Sequence, residues 1–255
     1  GTDINPYPGQ ANKLFIQNSS GQIVDTPANI PTIPDFSHNT SSADIDNDGD
    51  LDIYVCNIYN QGLVGPYFLI NNGSGNFTKV TSNFPASIAN LTSIYMSSRF
   101  ADIDNDNDKD LILGALDGSG IAKDLILLNN GLGVFTPGLP LPNRYGSASW
   151  GTVGIVARDF NNDGWIDLLM STLQGYQTCQ LQLLLNNQNG TFTDATANIP
   201  QNWPTTNTWV KWVEVGDFNS DGFLDIVCTA HVSASPKLYF NNGNAVFVDA
   251  SNLLT

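Results

Sequence analysis

Apolar residues along the chain gather into short dense runs, and the runs recur. DIYVC from Asp52, DLILGA from Asp110, DLLMS from Asp167 and DIVCTA from Asp225 are too short for helices and show no polar alternation, so each predicts a strand buried on both faces. A β-like run such as SSRFA or WVEVG stands before the polar stretch that leads into each of them. A second apolar run follows downstream, in FLINNGSGNF from Phe68, LILLNNGLGVF from Leu125, LLLNNQNGTF from Leu183 and LYFNNGNAVF from Leu238. Asn and Gly tolerate the positive φ of tight hairpins, so the Asn-Asn-Gly segment predicts a turn between two further strands.

The polar stretch before each buried run is itself a repeat. DIDNDGDLD (44–52), DIDNDNDKD (102–110), DFNNDGWID (159–167) and DFNSDGFLD (217–225) begin 58, 57 and 58 residues apart, and the hairpin's first Asn follows the first Asp by 27, 27, 27 and 24 residues. Two motifs in fixed phase define a unit of four antiparallel strands, with copies at 37–84, 94–138, 152–198 and 210–252. Solenoid periods are much shorter, and sandwiches do not repeat so regularly. The predicted fold is therefore all-β, a β-propeller of four-stranded blades. LFIQNSSGQIVD resembles the Asn-Asn-Gly hairpin and adds an N-terminal half-blade at 13–27. Five outer hairpins then face four loop-bearing inner ones. Three arrangements accommodate this: part of a longer ring, a ring with one incomplete blade, or an N-terminal hairpin that joins a second molecule.

Charge explains the polar stretches. The chain has 24 acidic and 9 basic residues, a formal charge of −15, and Glu214 is its one glutamate. Sixteen of the acids lie in the four repeated stretches. Carboxylates held 4 to 5 Å apart repel by roughly 3 to 4 kcal/mol per pair at an effective dielectric near 20, so such loops call for a cation. The pattern D-x-D/N-x-D-G-x-x-D brings oxygens from alternate positions to one point, and Gly permits the sharp turn. The candidate ligands are Asp44, Asp46, Asp48, Asp50 and Asp52 in the first loop and Asp102, Asp104, Asp106, Asp108 and Asp110 in the second. The third has Asp159, Asn161, Asp163, Trp165 and Asp167, and the fourth Asp217, Asn219, Asp221, Phe223 and Asp225. Position seven (Asp50, Asp108, Trp165, Phe223) contributes its backbone carbonyl. All-oxygen ligation without His or Cys selects Ca²⁺, and four ions would bring the charge to −7. Asn107 stands where the second loop should have Gly.

These loops, with the hairpins that follow them, resemble the calcium loops of the FG-GAP and VCBS repeat families, found in integrin α-subunit propellers, secreted bacterial proteins, lectins and polysaccharide lyases. The resemblance implies a calcium-stabilised propeller used for recognition or adhesion outside the cell. Family rings commonly have seven blades, against material here for four to five, and no ligand-binding residue carries over.

Both cation loops and Asn-Asn-Gly turns should lie on one face of the propeller, because connections in a meander alternate. The opposite face collects Tyr59, Tyr67, Arg144, Tyr145, Trp150, Tyr176, Trp203, Trp209 and His231. Exposed aromatic residues with Arg suit a sugar or protein partner, although each could equally plug the space between blades. The acidic balance argues against nucleic acid and anionic membrane, and no run of about 18 apolar residues offers membrane insertion. The start GTDINPYPGQ has no leader pattern and no Met, which suggests either a processed mature form or a sequence from which a targeting segment has been cut away. Cys56, Cys179 and Cys228 form no metal pattern and are expected to be free buried thiols. Outside the loops Asp3, Asp25, Asp35, Asp117, Asp124, Asp194, Asp249 and Glu214 remain, with His38 and His231 far apart, and no catalytic arrangement emerges. Three readings follow: a non-catalytic extracellular or cell-surface recognition module, a carbohydrate-active protein (lectin or lyase), and a structural spacer or assembly subunit that associates through its N-terminal hairpin.

Overall fold

In a computed structural model of the chain, the described residues are 9–57, 65–85, 94–116, 123–144, 151–174, 178–201, 209–231 and 235–254. The N-terminal part holds β1 (Gln10–Ala11), the hairpin of β2 (Phe15–Gln17) with β3 (Ile23–Asp25), and β4 (Pro34–Asp35), which pairs with β1. Blade one follows, with β5 (Ser37–Ala43), β6 (Asp52–Asn57), β7 (Tyr67–Asn71) and β8 (Phe77–Val80). Blade two is β9 (Ile94–Ala101), β10 (Asp110–Leu116), β11 (Leu125–Asn129) and β12 (Phe135–Pro137). Blade three is β13 (Thr152–Arg158), β14 (Asp167–Gln174), β15 (Thr178–Asn186) and β16 (Phe192–Asp194). Blade four is β17 (Trp209–Gly216), β18 (Asp225–His231), β19 (Lys237–Asn241) and β20 (Phe247–Asp249). Each blade is an antiparallel meander in chain order. The fold is all-β, four loop-bearing propeller blades plus an N-terminal half-blade hairpin.

Apolar side chains pack between blades, so the buried runs must be apolar on both faces. In DLILGA, Leu111 and Leu113 turn towards blade one and join Tyr54, Cys56 and Phe68, while Ile112 turns towards blade three and joins Ile155, Leu168 and Met170. Leu169, Leu181 and Leu183 of blade three meet Val210, Ile226 and Tyr239 of blade four. Phe68 anchors the first seam, stacked on Phe84 at 4.6 Å and on Phe135 at 5.1 Å between ring centroids. Each fully buried side chain of this size stabilises by about 1.5 to 3 kcal/mol. Blade one packs backwards on the N-terminal segment through Val55, Tyr67 and Leu69 against Ile30 and Ile33. Cys56 and Cys228 are buried thiols in no disulfide; the side chain of Cys179 lies outside the described residues.

Each inner strand pair carries one register shift near the end remote from its cation loop, at Ser37/Asn39, Gly114/Ala115, Thr152/Gly154 and Val210/Trp212. Such bulges sharpen the local twist of a strand. The inner strands β5, β9, β13 and β17 converge on one central cavity of about 370 Å³.

Candidate metal centre

Each loop is shaped by two residues in the left-handed conformation. Position six is Gly49, Gly164 or Gly222 with φ near 90°, and Asn107 fills the same role in the second loop with φ 77°. Position four is left-handed as well: Asn47, Asn105, Asn162 and Ser220 have φ between 58° and 63°. Asn accepts this geometry more readily than most side chains. The turn then closes on its own carboxylates. The first Asp accepts the position-six N–H, as in Gly49 N to Asp44 Oδ2 at 3.0 Å and Gly164 N to Asp159 Oδ2 at 2.8 Å. The fifth-position Asp accepts the position-seven N–H at 2.9 Å in all four loops.

In the first two loops, carboxylate oxygens of Asp44, Asp46 and Asp48, and of Asp102, Asp104 and Asp106, come within 4.8 Å of one another. Four buried oxygens there, Oδ1 of Asp44, Asp46, Asp102 and Asp104, have no hydrogen-bond partner. Buried acceptors left unpaired in pairs, at equivalent places in two loops, fit a hard cation that would supply the missing interaction. Burial, then the neighbouring carboxylates, hold the Asp46 and Asp104 carboxyls above the usual range. The third and fourth loops differ: Asn161 Nδ2 donates to Asp163 Oδ2 at 3.1 Å, and Asn219 Nδ2 to Asp221 Oδ2 at 2.8 Å. The amide relieves the repulsion that the first two loops leave open.

The ninth-position Asp sits apart from these clusters. Asp52, Asp110, Asp167 and Asp225 are at most 1% exposed. Each accepts two backbone N–H groups, one from position two of its own loop and one from the first Asn of the hairpin in the same blade. For Asp110 these are Ile103 N at 2.8 Å and Asn129 N at 2.9 Å; for Asp225, Phe218 N and Asn241 N, both at 2.9 Å. Burial pushes the carboxyls of Asp52 and Asp167 up to about 6 and that of Asp110 to about 7, against the downward pull of the donors. A folded-state value above the unfolded 3.8 means that the folded chain holds more protons between the two. In chelator, this contribution to stability should be complete below about pH 4 and lost as pH rises through 6 to 7. Calcium should flatten that fall by favouring the charged carboxylates. Thermal melting against pH, with and without calcium, checks both.

Loops and hairpins share one face, as the meander requires. The position-seven side chain lies over the hairpin glycine: a Cβ at Gly73 would stand 2.7 Å from Asp50, at Gly131 2.6 Å from Asp108, and at Gly243 2.6 Å from Phe223. In blade three Gln188 replaces that glycine with φ 63° and donates to Asp163 Oδ2 at 3.3 Å.

A contact between blades went unread in the sequence. The first hairpin Asn donates its amide to the position-two carbonyl of the preceding blade's loop: Asn129 to Ile45 at 2.8 Å, Asn186 to Ile103 at 2.9 Å and Asn241 to Phe160 at 2.8 Å. Asn47 adds a second tie, donating to Asp108 Oδ1 at 2.9 Å and to the Gly131 carbonyl at 3.2 Å. The side-chain NH2 of Asn71 in blade one donates to the Leu51 carbonyl of its own blade, at 3.3 Å, and among the described residues reaches no other blade. Asn186→Ala should therefore cost about 2 to 3 kcal/mol, from a lost bond and a stranded buried carbonyl, and Asn71→Ala under about 1 kcal/mol. Urea unfolding of the two variants measures the difference.

On the opposite face the outcome is mixed. Tyr59, Tyr145, Trp150, Tyr176 and Trp203 lie outside the described residues. Trp209 and His231 are register partners at the end of the inner pair remote from the cation loop, and their side chains are likewise outside the description. Arg144 is buried in an ion pair with Asp124, Nη2 to Oδ1 at 2.9 Å and side chains 8% and 6% exposed. Asp124 also accepts from Thr152 Oγ1 at 2.7 Å and from Ala115 N at 2.8 Å. The arginine thus ties its loop to blades two and three.

The FG-GAP-like repeat matches residues 4–55, 102–170 and 159–228, well over half of the chain. The chain belongs to the FG-GAP-like repeat family. Among curated protein sequences no significant match is found. Among solved structures, the FG-GAP-like chain is similar to an Agrocybe aegerita lectin described as specifically recognising non-reducing terminal N-acetylglucosamine. Identity is 19% and the TM-score 0.59, over 94% of this chain and 60% of the lectin. The V. cholerae biofilm matrix protein Bap1 matches at 16% identity and a TM-score of 0.34, over 84% of this chain and 30% of Bap1. The chain thus spans under two thirds of either protein, and the lectin likeness concerns the fold alone.

Proposed function

We propose that this FG-GAP-like chain is a calcium-stabilised, non-catalytic recognition or adhesion module that works outside the cell on a protein or glycan partner. The observation that carries it is the fourfold cation loop, whose first two copies hold buried carboxylate oxygens without partners. In each loop the side chains at positions one, three, five and nine and the carbonyl of position seven would hold one Ca²⁺, four in all. The ion supplies charge neutralisation, which fixes the loop that anchors the next blade's hairpin. Extracellular calcium modules bind at roughly 10⁻⁴ to 10⁻³ M, which suits a secreted or surface location. No helix among the described residues is long and apolar enough to cross a membrane.

A glycan partner is favoured by the fold shared with a lectin, and repeat units at 37–84, 94–138, 152–198 and 210–252 are the pieces of one propeller. A glycan array in millimolar calcium tests this: binding without bond cleavage supports the reading, and cleavage of any bound glycan overturns the non-catalytic part. The hairpin at 13–27 exposes Phe15, Ile23 and Val24 at 55%, 66% and 41%, which supports self-association as a secondary role. Sedimentation showing a strict monomer would remove it.

A further inference from the structure

Every seam between blades uses the same positions, and blade four keeps them where no described blade covers them. On the rear of a blade, the side turned to the blade that follows, position two of the cation loop is Ile45, Ile103 or Phe160 in blades one to three, each at most 1% exposed. Phe218 holds that position in blade four and is 50% exposed. The second residue after the ninth-position Asp is Tyr54, Ile112 or Leu169, buried in a seam; in blade four it is Val227, which is only half-buried. The residue before the first hairpin Asn is Ile70, Leu128 or Leu185, each packed on a seam, and in blade four it is Phe240. Among the described residues, Phe218, Val227 and Phe240 join no apolar cluster. The carbonyls of Ile45, Ile103 and Phe160 each receive the amide of a following hairpin, and among the described residues none reaches that of Phe218. Blade four thus carries one side of a fourth seam.

The matching side is the front of the N-terminal half-blade. Its rear already takes a preceding blade's place on blade one. Ile16 Cδ1 lies 3.2 Å from where a Cβ of Gly75 would stand, as Ile45 Cγ1 lies 3.4 Å from one at Gly133, and Asn29 Nδ2 donates to the Gly75 carbonyl at 3.0 Å. Gln17 pairs with Ile23 in the register that joins Asn129 to Phe135 and Asn241 to Phe247. Gln17 therefore stands in the place of the seam-forming Asn, Ile23 in that of the phenylalanine, and Phe15 in that of Leu127 and Tyr239. In blades two and four those apolar residues are buried against the preceding blade. In the half-blade, Phe15 and Ile23 are more than half exposed, and the Gln17 amide turns back on the Gly21 carbonyl at 3.2 Å.

Both surfaces stay exposed in the folded chain, and the repeat makes them complementary, so the contact falls to a second copy. We propose that the rear of blade four receives the N-terminal half-blade of another molecule. Phe15 and Ile23 pack on Phe218 and Phe240, and the Gln17 amide donates to the Phe218 carbonyl. Such a contact is head-to-tail, leaves one front and one rear open on every pair, and so propagates into a ring of copies or a filament. The inference rests on the self-association read from the hairpin and supplies its receiving surface.

Sedimentation velocity of the full chain in millimolar calcium should show species that grow with concentration beyond a dimer. Phe218→Lys and Ile23→Lys should each weaken association by at least about tenfold. An equimolar mixture of the two should recover a 1:1 complex that grows no further, because one variant keeps a sound front and the other a sound rear. Unchanged melting would show that both fold, and Phe240→Gln probes the same rear surface should Phe218→Lys melt early. A wild-type chain that stays monomeric at every concentration would overturn the inference and the self-association together. Association abolished by Ile23→Lys but untouched by Phe218→Lys and Phe240→Gln would be a symmetric pairing of hairpins, which overturns the receiving surface and leaves self-association standing. A mixture that forms no 1:1 complex would overturn the head-to-tail contact as well.

Discussion

Removing calcium from the folded chain is expected to lower its melting temperature by roughly 10 to 20 °C. A site tenfold above its dissociation constant stabilises by about 1.4 kcal/mol, so four sites contribute on the order of 6 kcal/mol. A domain of this length loses about 2 to 4 °C per kcal/mol. The loops should not respond equally. Loops one and two present carboxylates at positions one, three and five, whereas Asn161 and Asn219 replace the middle one in loops three and four. Calcium affinity rises with the number of charged ligands, so chelation should empty the last two loops first. Asp46→Ala and Asp163→Ala should each cost one site and roughly 3 to 5 °C, within the same arithmetic. Scanning calorimetry with graded EDTA resolves the order. A melting curve unmoved by EDTA would remove calcium from the account.

Much of this was legible because the repeat writes the same physics four times. The apolar runs announced strands buried on both faces, and Leu111, Ile112 and Leu113 do alternate between two inter-blade cores. Gly at position six announced the turn, and its absence at Asn107 was met by the same backbone conformation. Three things escaped. Position four is left-handed in every loop, yet Asn and Ser are too common in polar loops to signal it. The constant first Asn of the hairpin was visible as a turn former, but its amide reaches a carbonyl some 80 residues earlier, such as Ile103 from Asn186. That partner is defined only once blades pack. Arg144 drew notice beside aromatic residues, and its buried partner Asp124 could not be paired with it from spacing.

The ninth-position aspartate separates two roles that one sequence pattern merges. Asp110→Ala is expected to destabilise the chain by about 4 kcal/mol even in EDTA, and in calcium to weaken the second cation site as well. Its carboxylate is wholly buried and holds the N–H groups of Ile103 and Asn129, so truncation strands two buried donors at about 1 to 3 kcal/mol each. Those donors belong to the two segments that meet across blades, since the Ile103 carbonyl receives Asn186 and the Asn129 amide reaches Ile45. Loss of Asp110 should therefore loosen both seams of blade two. Asp102→Ala is the contrast. Its Oδ1 lacks a partner without a cation, and its neighbours repel it, so in EDTA its removal should be close to neutral, and in calcium it should cost one site. Urea unfolding of both variants, in calcium and in EDTA, gives four numbers. If Asp110→Ala became neutral in EDTA, its carboxylate would serve the ion alone and not the junction between loop, hairpin and neighbouring blade.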